Sequence, residues 1–433
     1  MSRVAIIGAG SSGITVAKAL KEAGVAFDVF EKGSEIGGMW RYENDNGQSS
    51  CYANLHIDSS RANLGYSDYP IPASWPDYLS HRQFLEYLLA YAAHFGIGPQ
   101  IAFRTSVEAI EPSGDGWSVR LSTGESRAYG AVIVANGHLS EPRLAEFPGE
   151  FSGSIVHSHH YRDPAPYEGK NVVVVGIGNS AVDIAVDISR RARSVILSTR
   201  RSAWIMPKYI MGVPTDRWSR ALARNLKLPT PVVRRIMGVL GRLAIGDQRR
   251  FGVPRPAHPI WKEHATISQD LLPAIGHGRI VVKPNIARYD GAEILFDDDS
   301  RSACDAVILA TGYHMRFPFL AADLFDPERL PIRLYRRMMH EDRPSLIFAG
   351  LVQPIGPTIP LVEGQGRWIA AVLSGRMAVP DREERAREID AHVSTQRRTW
   401  LDTPRYALEV DYATIIRQMA SDVAAKRPAK RAL

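Results

Sequence analysis

Two copies of one local pattern, a short apolar run followed by closely spaced glycines, constrain the fold of this 433-residue chain most strongly. The first copy reads VAIIGAGSSG at residues 4–13, and the second reads VVVVGIGNSA at residues 172–181. In each copy, a run typical of a buried strand enters a turn at Gly8 or Gly176, and a helix-like stretch follows. The sequence therefore predicts two βαβ modules.

The first module carries the residues that a dinucleotide needs. Gly8 permits a tight turn, Gly10 lets a pyrophosphate approach the backbone, and Gly13 allows close packing of the helix. The N-terminus of that helix faces the anion. Glu31 stands at the end of the second predicted strand, 27–30, where a carboxylate can accept hydrogen bonds from ribose hydroxyls. Together these residues predict a site for FAD or NAD rather than an ordinary βα turn.

The second module repeats the glycine turn with Gly176, Gly178 and Ala181 but ends differently. Arg200 and Arg201 stand where the first module has its acid. A carboxylate would repel a 2′-phosphate, whereas a guanidinium can bind one through charge-assisted hydrogen bonds. The second module therefore suits NADP. The alternative interpretation is that both arginines are surface charge at a strand end.

Composition favours an ordinary globular chain, with 45% apolar and 23% charged residues. Cys51 and Cys304 are the only two cysteines, far apart and without metal-ligand spacing, which argues against disulfide frameworks and metal sites. No apolar run approaches the roughly 18 residues of a membrane span. Part of the +7 charge lies in the last eight residues, KRPAKRAL, a predicted disordered tail, and no nucleic-acid-binding pattern accompanies it. Because the first strand begins near Val4, we expect an unexported, cytoplasmic protein.

An internal sequence repeat predicts how the two modules are joined. ESRAYGAVIVANGH at 125–138 is similar to DSRSACDAVILATGY at 299–313, and each places a polar hairpin tip before a buried strand. We predict an α/β fold of two Rossmann-like dinucleotide-binding domains, with the NADP domain inserted into a discontinuous FAD domain. The predicted bounds are 1–162 and 304–433 for the FAD-binding domain and 163–303 for the NADP-binding domain, with a helical insertion at about 203–260.

The stretch FSGSIVHSHHY at 151–161 fits F-x-G-x-x-x-H-x-x-x-Y and resembles the flavin-containing monooxygenases. Further motifs match in order: EKGSEIGGMW at 31–40, YSDYPIP at 66–72, GNSAVDIA at 178–185, ATGY at 310–313 and LVEGQGR at 361–367. The resemblance covers about residues 1 to 375. Tyr161 stands where the related Baeyer–Villiger monooxygenases typically have Trp, which favours the N- and S-oxidising branch.

The resemblance implies a monooxygenase that uses FAD, NADPH and O2. NADPH reduces FAD, oxygen adds to the flavin as a C4a-hydroperoxide, and its distal oxygen passes to an amine nitrogen or a sulfur of a small-molecule substrate. The implied FAD-binding residues are Gly8, Ala9, Gly10, Ser11, Ser12, Gly13, Glu31, Gly38, Met39, Trp40 and Ser59. The implied NADP-binding residues are Gly176, Gly178, Asn179, Ser180, Ala181, Val182, Asp183, Arg200 and Arg201. Helix capping or packing is an equal interpretation of Asp183, and Trp40 could equally be a core aromatic.

The sharpest departure from the family pattern is Asp58, in LHIDSSRAN at 55–63. Family members commonly carry Asn here, between flavin and nicotinamide, and an amide can donate a hydrogen bond that an ionised carboxylate cannot. We treat Asp58 as the candidate catalytic residue and expect it to lower the coupling of NADPH use to oxygenation. His157, near His159 and His160, invites a metal interpretation, but no carboxylate or cysteine partner has ligand spacing. The resemblance implies a structural role for His157, at the junction of the two domains.

Other functions stay open at this point. They are a Baeyer–Villiger monooxygenase acting on ketones, an uncoupled NADPH oxidase and a non-catalytic flavoprotein; a flavin disulfide reductase lacks its cysteine pair. The insertion at 203–260 mixes basic and apolar residues, and we favour a lid or a subunit interface, as in a homodimer, over a membrane-surface contact.

Overall fold

The computed structural model describes residues 3–401 and 407–425, and the chain forms two compact units. The first unit comprises Met1–Ser49, Arg61–Glu141 and Met315–Leu433, and the second comprises Ser50–Ser60 and Pro142–His314. The first unit is thus discontinuous, as predicted. The predicted disordered tail, 426–433, lies outside the described residues.

The described residues contain helices and strands with the following bounds. The helices are α1 Ser11–Glu22, α2 Arg61–Leu64, α3 His81–His94, α4 Asn179–Ile188, α5 Thr215–Arg220, α6 Thr230–Ile245, α7 Leu271–Gly276, α8 Thr358–Leu373, α9 Arg382–Thr399 and α10 Tyr412–Ala424. The strands are β1 Val4–Ile7, β2 Phe27–Phe30, β3 Ile101–Ala102, β4 Val107–Ser113, β5 Gly116–Leu121, β6 Ser126–Tyr129, β7 Ala131–Val134, β8 Glu141–Pro142, β9 Ser154–His157, β10 Asn171–Val175, β11 Ser194–Ser198, β12 Ile205–Met206, β13 Tyr209–Ile210, β14 Val213–Pro214, β15 Thr266–Ile267, β16 Ile280–Lys283, β17 Ile286–Asp290, β18 Glu293–Phe296, β19 Arg301–Ala303, β20 Ala306–Leu309, β21 Tyr313–His314, β22 Leu334–Tyr335, β23 Met339–His340, β24 Leu346–Phe348, β25 Gln353–Pro354 and β26 Glu409–Val410.

The first unit is built on a seven-stranded sheet with the order β22-β23-β24-β7-β1-β2-β3. Strands β24, β7, β1, β2 and β3 pair in parallel, and β22 and β23 are antiparallel at one edge. The central strands VAII and AVIV are buried along their whole length, as expected for a parallel sheet covered on both faces. Helix α1 packs against α8, where Gly366 leaves room for the backbone of Thr15.

The second unit is built on a five-stranded parallel sheet with the order β16-β11-β10-β20-β9. In each unit a three-stranded antiparallel sheet directly precedes a buried strand of the main sheet, β7 in the first unit and β20 in the second, which confirms the internal repeat as two Rossmann-like modules.

The predicted domain boundaries differ from the bounds of the units. The predicted bounds assign residues 50–60, 142–162 and 304–314 to the first domain, but all three stretches belong to the second unit. For 142–162 and 304–314 the cause is strand pairing, because β20 pairs with β10 and β9 pairs with β20 in the second sheet. For 50–60 the cause is side-chain hydrogen bonding to α4.

The predicted insertion at 203–260 is only partly helical. It contains α5, a π-helical turn at Ala221–Asn225 and α6, together with the short strands β12, β13 and β14. Val233 and Met237 of α6 pack with Ile210 in a small apolar cluster of their own. The insertion is therefore a folded subdomain of the second unit and not a single helical excursion.

Candidate functional site

The first glycine loop has two positions that exclude any side chain. Gly8 has φ 100°, and a Cβ there would lie 2.7 Å from the carbonyl oxygen of Ala135. A Cβ on Gly13 would lie 1.9 Å from the carbonyl oxygen of Gly8. These two glycines are required by the fold itself, because any larger residue would displace backbone atoms.

Gly10 is different, because the protein leaves room beside it. A Cβ there would have Gly38 Cα as its nearest neighbour, at 3.6 Å, which is an ordinary contact. Gly10 also has φ −74° and ψ −174°, which any residue adopts. The protein itself therefore does not require a glycine at this position, which fits a loop that a pyrophosphate approaches closely.

The loop also presents the donors that a diphosphate needs. Gly10 caps α1, no side chain occupies that cap, and the first turn of α1, including Ser11 and Ser12, contains no acid. The N–H groups of this helix end are therefore oriented for an anion.

Glu31 is fixed beside this loop. Its carboxylate accepts hydrogen bonds from the N–H of Ala9, at 2.7 Å, and the N–H of Gly33, also at 2.7 Å. A third donor is Asn46 Nδ2, at 3.2 Å from Oε1, and the Glu31 side chain is buried. These three donors leave one of the four lone-pair positions of the carboxylate, on Oε2, for a ribose hydroxyl. The residues of the first loop therefore fit an FAD.

The predicted stretch 38–40 lies against the same loop. Gly38 has φ 55°, and a Cβ there would be 3.1 Å from Gly10 Cα. The carbonyl of Met39 accepts a hydrogen bond from Ser49 Oγ at 2.8 Å. The half-buried Trp40 packs edge-on against Phe84, with ring centroids 4.7 Å apart. One side of Trp40 thus contributes to packing, which favours its interpretation as a core aromatic.

The second glycine loop repeats the first with one change. Gly176 has φ 128°, and a Cβ there would lie 2.6 Å from the carbonyl oxygen of Ala310, the counterpart of the Gly8 contact. Helix α4 begins after Gly178, again without a side-chain cap. The third position is Ala181, which is buried with its methyl group in place, so this helix does not need a glycine there.

Arg200 and Arg201 lie at the same sheet edge as the second loop. They follow β11, whose last residue, Ser198, pairs with Val175, the last residue of β10. Both arginines are exposed. The exposed Ser180 and the two guanidinium groups fit a dinucleotide with a 2′-phosphate, whereas Val182 is buried in the core and offers only its backbone.

The side chain of Asn179 is engaged by the protein. Its amide nitrogen donates to Asp58 Oδ2 at 2.7 Å, and its amide oxygen accepts from the N–H of Ile267 at 3.0 Å. Asn179 therefore ties the segment Ser50–Ser60 and strand β15 to the start of α4. Ser59 lies in that segment, within the second unit.

Asp58 has a cationic neighbour that the sequence did not reveal. Lys208 Nζ, from the insertion, lies 3.4 Å from Asp58 Oδ1. Burial raises the pKa of Asp58, and the nearby Lys208 and His264 oppose that rise. Asp58 cannot donate the hydrogen bond that an Asn amide would donate, but the neighbouring Lys208 ammonium group supplies donors.

Asp183 stands one helical turn further along α4. Tyr52 donates its hydroxyl hydrogen to Asp183 Oδ2 at 2.9 Å. Burial raises the pKa of Asp183 to about 7, the charge of Asp58 adds to the rise, and Lys208 lowers it. Because Tyr52 occupies this carboxylate, the packing interpretation of Asp183 gains support.

A second anchor follows at Asp187, again on the inner face of α4. Its two oxygens accept hydrogen bonds from Asn54 Nδ2 at 2.6 Å and from the Tyr161 hydroxyl at 2.7 Å. Tyr161, the last residue of the F-x-G-x-x-x-H-x-x-x-Y motif, therefore holds α4 in place. Asp183 and Asp187 are four residues apart, and that spacing was the one available signal for this pair of acids.

The other motif residues are structural in the second unit. His157 Nδ1 accepts from the N–H of His159 at 3.1 Å, and Nε2 lies 3.1 Å from the carbonyl of Gly312. Burial lowers the pKa of His157 to about 4, so the ring is neutral and Nε2 is the protonated nitrogen. A Cβ on Gly153 would lie 2.5 Å from the carbonyl of Asp305. Among the described residues no cluster of metal-ligand type occurs.

Comparisons with known proteins agree with this geometry. The sequence matches the family described as FMO-like, flavin-binding monooxygenase-like, over residues 1–431. It is 34% identical over 457 residues to flavin-containing monooxygenase 5 of Homo sapiens, covering 98% of this chain and 83% of that protein. The structure of S-allyl-L-cysteine S-oxygenase from Allium sativum aligns with TM-score 0.73 and 26% identity over 98% of this chain and 88% of that one. A cyclohexanone monooxygenase from Rhodococcus sp. Phi1, at TM-score 0.73 and 16% identity, covers 99% of this chain and 98% of that one and shares the fold.

Proposed function

The chain belongs to the flavin-binding monooxygenase-like family, and from this premise we propose that it uses NADPH and O2 to oxygenate an amine nitrogen or a sulfur. It is an FAD-dependent monooxygenase, and the proposal concerns its substrate class and its residues. The observation that carries the assignment of residues to the two cofactors is the difference between the two glycine loops. Glu31 suits an unphosphorylated ribose, whereas Arg200 suits a 2′-phosphate.

Two observations support N- or S-oxygenation. The last position of the F-x-G-x-x-x-H-x-x-x-Y motif is Tyr161, whose hydroxyl donates a hydrogen bond to Asp187. A protein named S-allyl-L-cysteine S-oxygenase is 26% identical over nearly the whole chain. A soft nucleophile needs no activation by a protein base, which agrees with the absence of a nucleophile–base pair from the residues of the site.

The role of this chain's own residues is to bind and position the two cofactors. FAD, when bound, carries electrons from NADPH to O2. Gly10 would open the first loop to the diphosphate, and Glu31 would accept a hydrogen bond from the ribose. Arg200 would bind the phosphate that distinguishes NADPH from NADH. The buried contacts of α4 hold the Ser50–Ser60 segment, and with it Asp58, at the second loop.

The test is turnover with three substrate classes. Purified enzyme containing FAD is given NADPH and a thioether, a tertiary amine or a cyclic ketone, and products are identified by mass spectrometry. We expect S-oxide or N-oxide and stimulation of NADPH oxidation by those two substrates. Lactone from the ketone alone would make the protein a Baeyer–Villiger enzyme, and peroxide with every substrate would make it an uncoupled oxidase.

We also propose that Asp58 and Lys208 act as a pair and set the coupling of NADPH consumption to oxygenation. The measured quantity is peroxide released per NADPH consumed, in the wild type, Asp58→Asn, Lys208→Met and the double variant. Asp58→Asn restores an amide donor but leaves the Lys208 ammonium without its carboxylate. We therefore expect the double variant to have the lowest ratio. An unchanged ratio in all three variants would refute the role of the pair.

A further inference from the structure

Four tyrosines of the first unit pack ring against ring and form a tyrosine cluster. Tyr66 and Tyr69 come from the YSDYPIP motif, which contributes no residue to either glycine loop, and Tyr87 and Tyr91 lie one turn apart on α3. The ring centroids of Tyr66 and Tyr91 are 3.9 Å apart, and the rings are tilted by only 22°. Tyr87 lies 5.7 Å from Tyr66, and Tyr69 lies 5.7 Å from Tyr87 and 5.9 Å from Tyr91. The four phenol rings are therefore continuous.

One end of the tyrosine cluster lies at the first glycine loop. The Tyr66 hydroxyl donates to the carbonyl oxygen of Ser11, the first residue of α1, at 3.4 Å. A second connection starts at Trp40, whose ring centroid is 4.7 Å from that of Phe84, which in turn is 6.2 Å from that of Tyr87. Ser11 and Trp40 are both implied FAD-binding residues. The cluster thus begins where the flavin cofactor would lie.

The other end of the cluster reaches the surface. Tyr69 is half-buried, and its ring centroid is 5.0 Å from that of the exposed His94. Tyr66, Tyr87 and Tyr91 are buried. The cluster therefore connects the first loop to solvent through three buried phenols and a fourth that water reaches.

Packing does not explain why position 91 is a tyrosine. The Tyr91 hydroxyl is buried and has no hydrogen-bond partner among the residues that the structure describes. A buried polar group without a partner costs roughly 1–3 kcal/mol, and phenylalanine would fill the same space without that cost. Phenylalanine differs in one further property, because a phenol gives up one electron far more readily than a benzene ring does. Electron transfer therefore accounts for this residue better than packing does.

We propose that Trp40 and the tyrosine cluster form a one-electron transfer route from the flavin site to a small thiol at the protein surface. The oxidant is a hydroxyl radical derived from the peroxide that uncoupled turnover releases. The radical takes one electron from the Trp40 indole and one proton from water, and it becomes water. Electrons from Tyr87 and then from Tyr69 restore the residues before them, and Tyr69 gives its phenolic proton to water.

The thiol completes the reaction by returning one electron and one proton to Tyr69. The net reaction converts one hydroxyl radical and one thiol to water and a thiyl radical, and two thiyl radicals join as a disulfide. Every residue of the route returns to its starting state. The route thus protects the flavin site from its own oxidising by-product. It depends on FAD binding at the first loop and not on the proposed substrate class.

The buried tyrosines can pass the oxidation on but do not retain it. Burial raises the pKa of Tyr66, Tyr87 and Tyr91, so these phenols keep their protons. The hydroxyls of Tyr66 and Tyr87 donate to the backbone carbonyls of Ser11 and Tyr69, which are weak bases. A phenol that cannot lose its proton is harder to oxidise than one that can. The oxidation should therefore come to rest on Tyr69, where water accepts the proton.

The test is flash excitation of the oxidised, FAD-loaded enzyme without NADPH or substrate. Photoexcited flavin is itself a one-electron oxidant, so it starts the transfer at the same place, and transient absorption and electron paramagnetic resonance detect the tryptophan and tyrosine radicals. We expect a tyrosyl radical that outlives the tryptophan radical and that added glutathione removes. Because no substrate is turned over, an error in the proposed substrate class would leave this result unchanged.

Phenylalanine variants locate the route. Tyr69→Phe should abolish the long-lived tyrosyl radical. Tyr91→Phe loses no hydrogen bond and should lower the yield of that radical, because it removes one of the two paths to Tyr69. The matched control is Tyr289→Phe, in the second unit, where the hydroxyl is also buried without a partner and the ring stacks on Phe151. This control should leave the radical yield unchanged.

A second measurement tests protection directly. After turnover with added peroxide and glutathione, peptide mass spectrometry should find more oxidised Met39 and Trp40 in Tyr69→Phe than in the wild type or Tyr289→Phe. The proposal is overturned if excitation of the wild type gives no tyrosyl radical, or if Tyr69→Phe and Tyr91→Phe give the wild-type yield. Equal oxidation of Met39 and Trp40 in all these proteins would also overturn it.

Discussion

Alanine at Gly10 and at Gly13 should have opposite effects, although the two glycines are three residues apart in one loop. A methyl group on Gly13 would lie 1.9 Å from the carbonyl oxygen of Gly8, more than 1 Å inside ordinary contact. Since backbone must move, we expect Gly13→Ala to cost at least about 1–3 kcal/mol in unfolding free energy. A methyl group on Gly10 meets its nearest atom at 3.6 Å and needs no strained backbone. The apoprotein of Gly10→Ala should therefore be as stable as the wild type, or up to about 1 kcal/mol more stable.

The effect of Gly10→Ala should appear when FAD is added. The methyl group occupies the space through which the diphosphate approaches the loop, and losing one charge-assisted hydrogen bond costs about 2 kcal/mol. We therefore expect FAD affinity to fall about 30-fold. The assays are thermal unfolding of the flavin-free proteins and titration with FAD followed by flavin fluorescence. Wild-type affinity in Gly10→Ala, or an unstable Gly10→Ala apoprotein, would refute the assignment of this glycine to the ligand.

Three further predictions concern the second unit. The pKa of Asp183 is raised from 3.8 to about 7, so the folded state binds more protons than the unfolded state between these pH values. The unfolding free energy should therefore fall as pH rises from about 4 to 7. At about 1.4 kcal/mol per pKa unit, the fall is at most ~4 kcal/mol. Asp183→Asn should remove this fall in unfolding free energy, as measured by denaturant unfolding at several pH values. An equal dependence of the unfolding free energy on pH in both proteins would contradict its assignment to Asp183. Tyr161→Phe leaves buried Asp187 with one donor fewer and should lower the unfolding free energy by about 1–3 kcal/mol in the same assay. Arg200→Ala should raise KM for NADPH about 10-fold to 100-fold without changing KM for NADH, whereas Arg193→Ala should change neither.

The two modules could be predicted because their signals are local. Four-residue apolar runs and glycines at fixed spacing encode a strand and a turn within about ten residues, and the structure has β1 and β10 at those positions. The similarity of residues 125–138 to 299–313 also reflects equivalent positions in the two modules. The carbonyl oxygens of Ala135 and Ala310 lie beside the first glycine of their respective loops.

The domain boundaries and the anchors of Asp58 could not be predicted in this way. Strand β9 joins the second sheet through β20, about 150 residues later, and a four-residue apolar run fits either sheet equally well. Tyr52 and Asp183 are 131 residues apart, and no periodicity connects them. Lys208 comes from an insertion without a recognisable motif. Each depends on which distant segments pack together, a property that local patterns do not encode.

The central claim is that one atom of molecular oxygen reaches a soft nucleophile in each coupled turnover of NADPH. The most direct measurement is turnover of a thioether under ¹⁸O2, with the labelled product, the NADPH consumed and the peroxide released all quantified. The account predicts one ¹⁸O in the S-oxide and a product yield that rises as the peroxide yield falls among the Asp58 and Lys208 variants. Unlabelled product, or complete conversion of NADPH equivalents to peroxide in every variant, would contradict it.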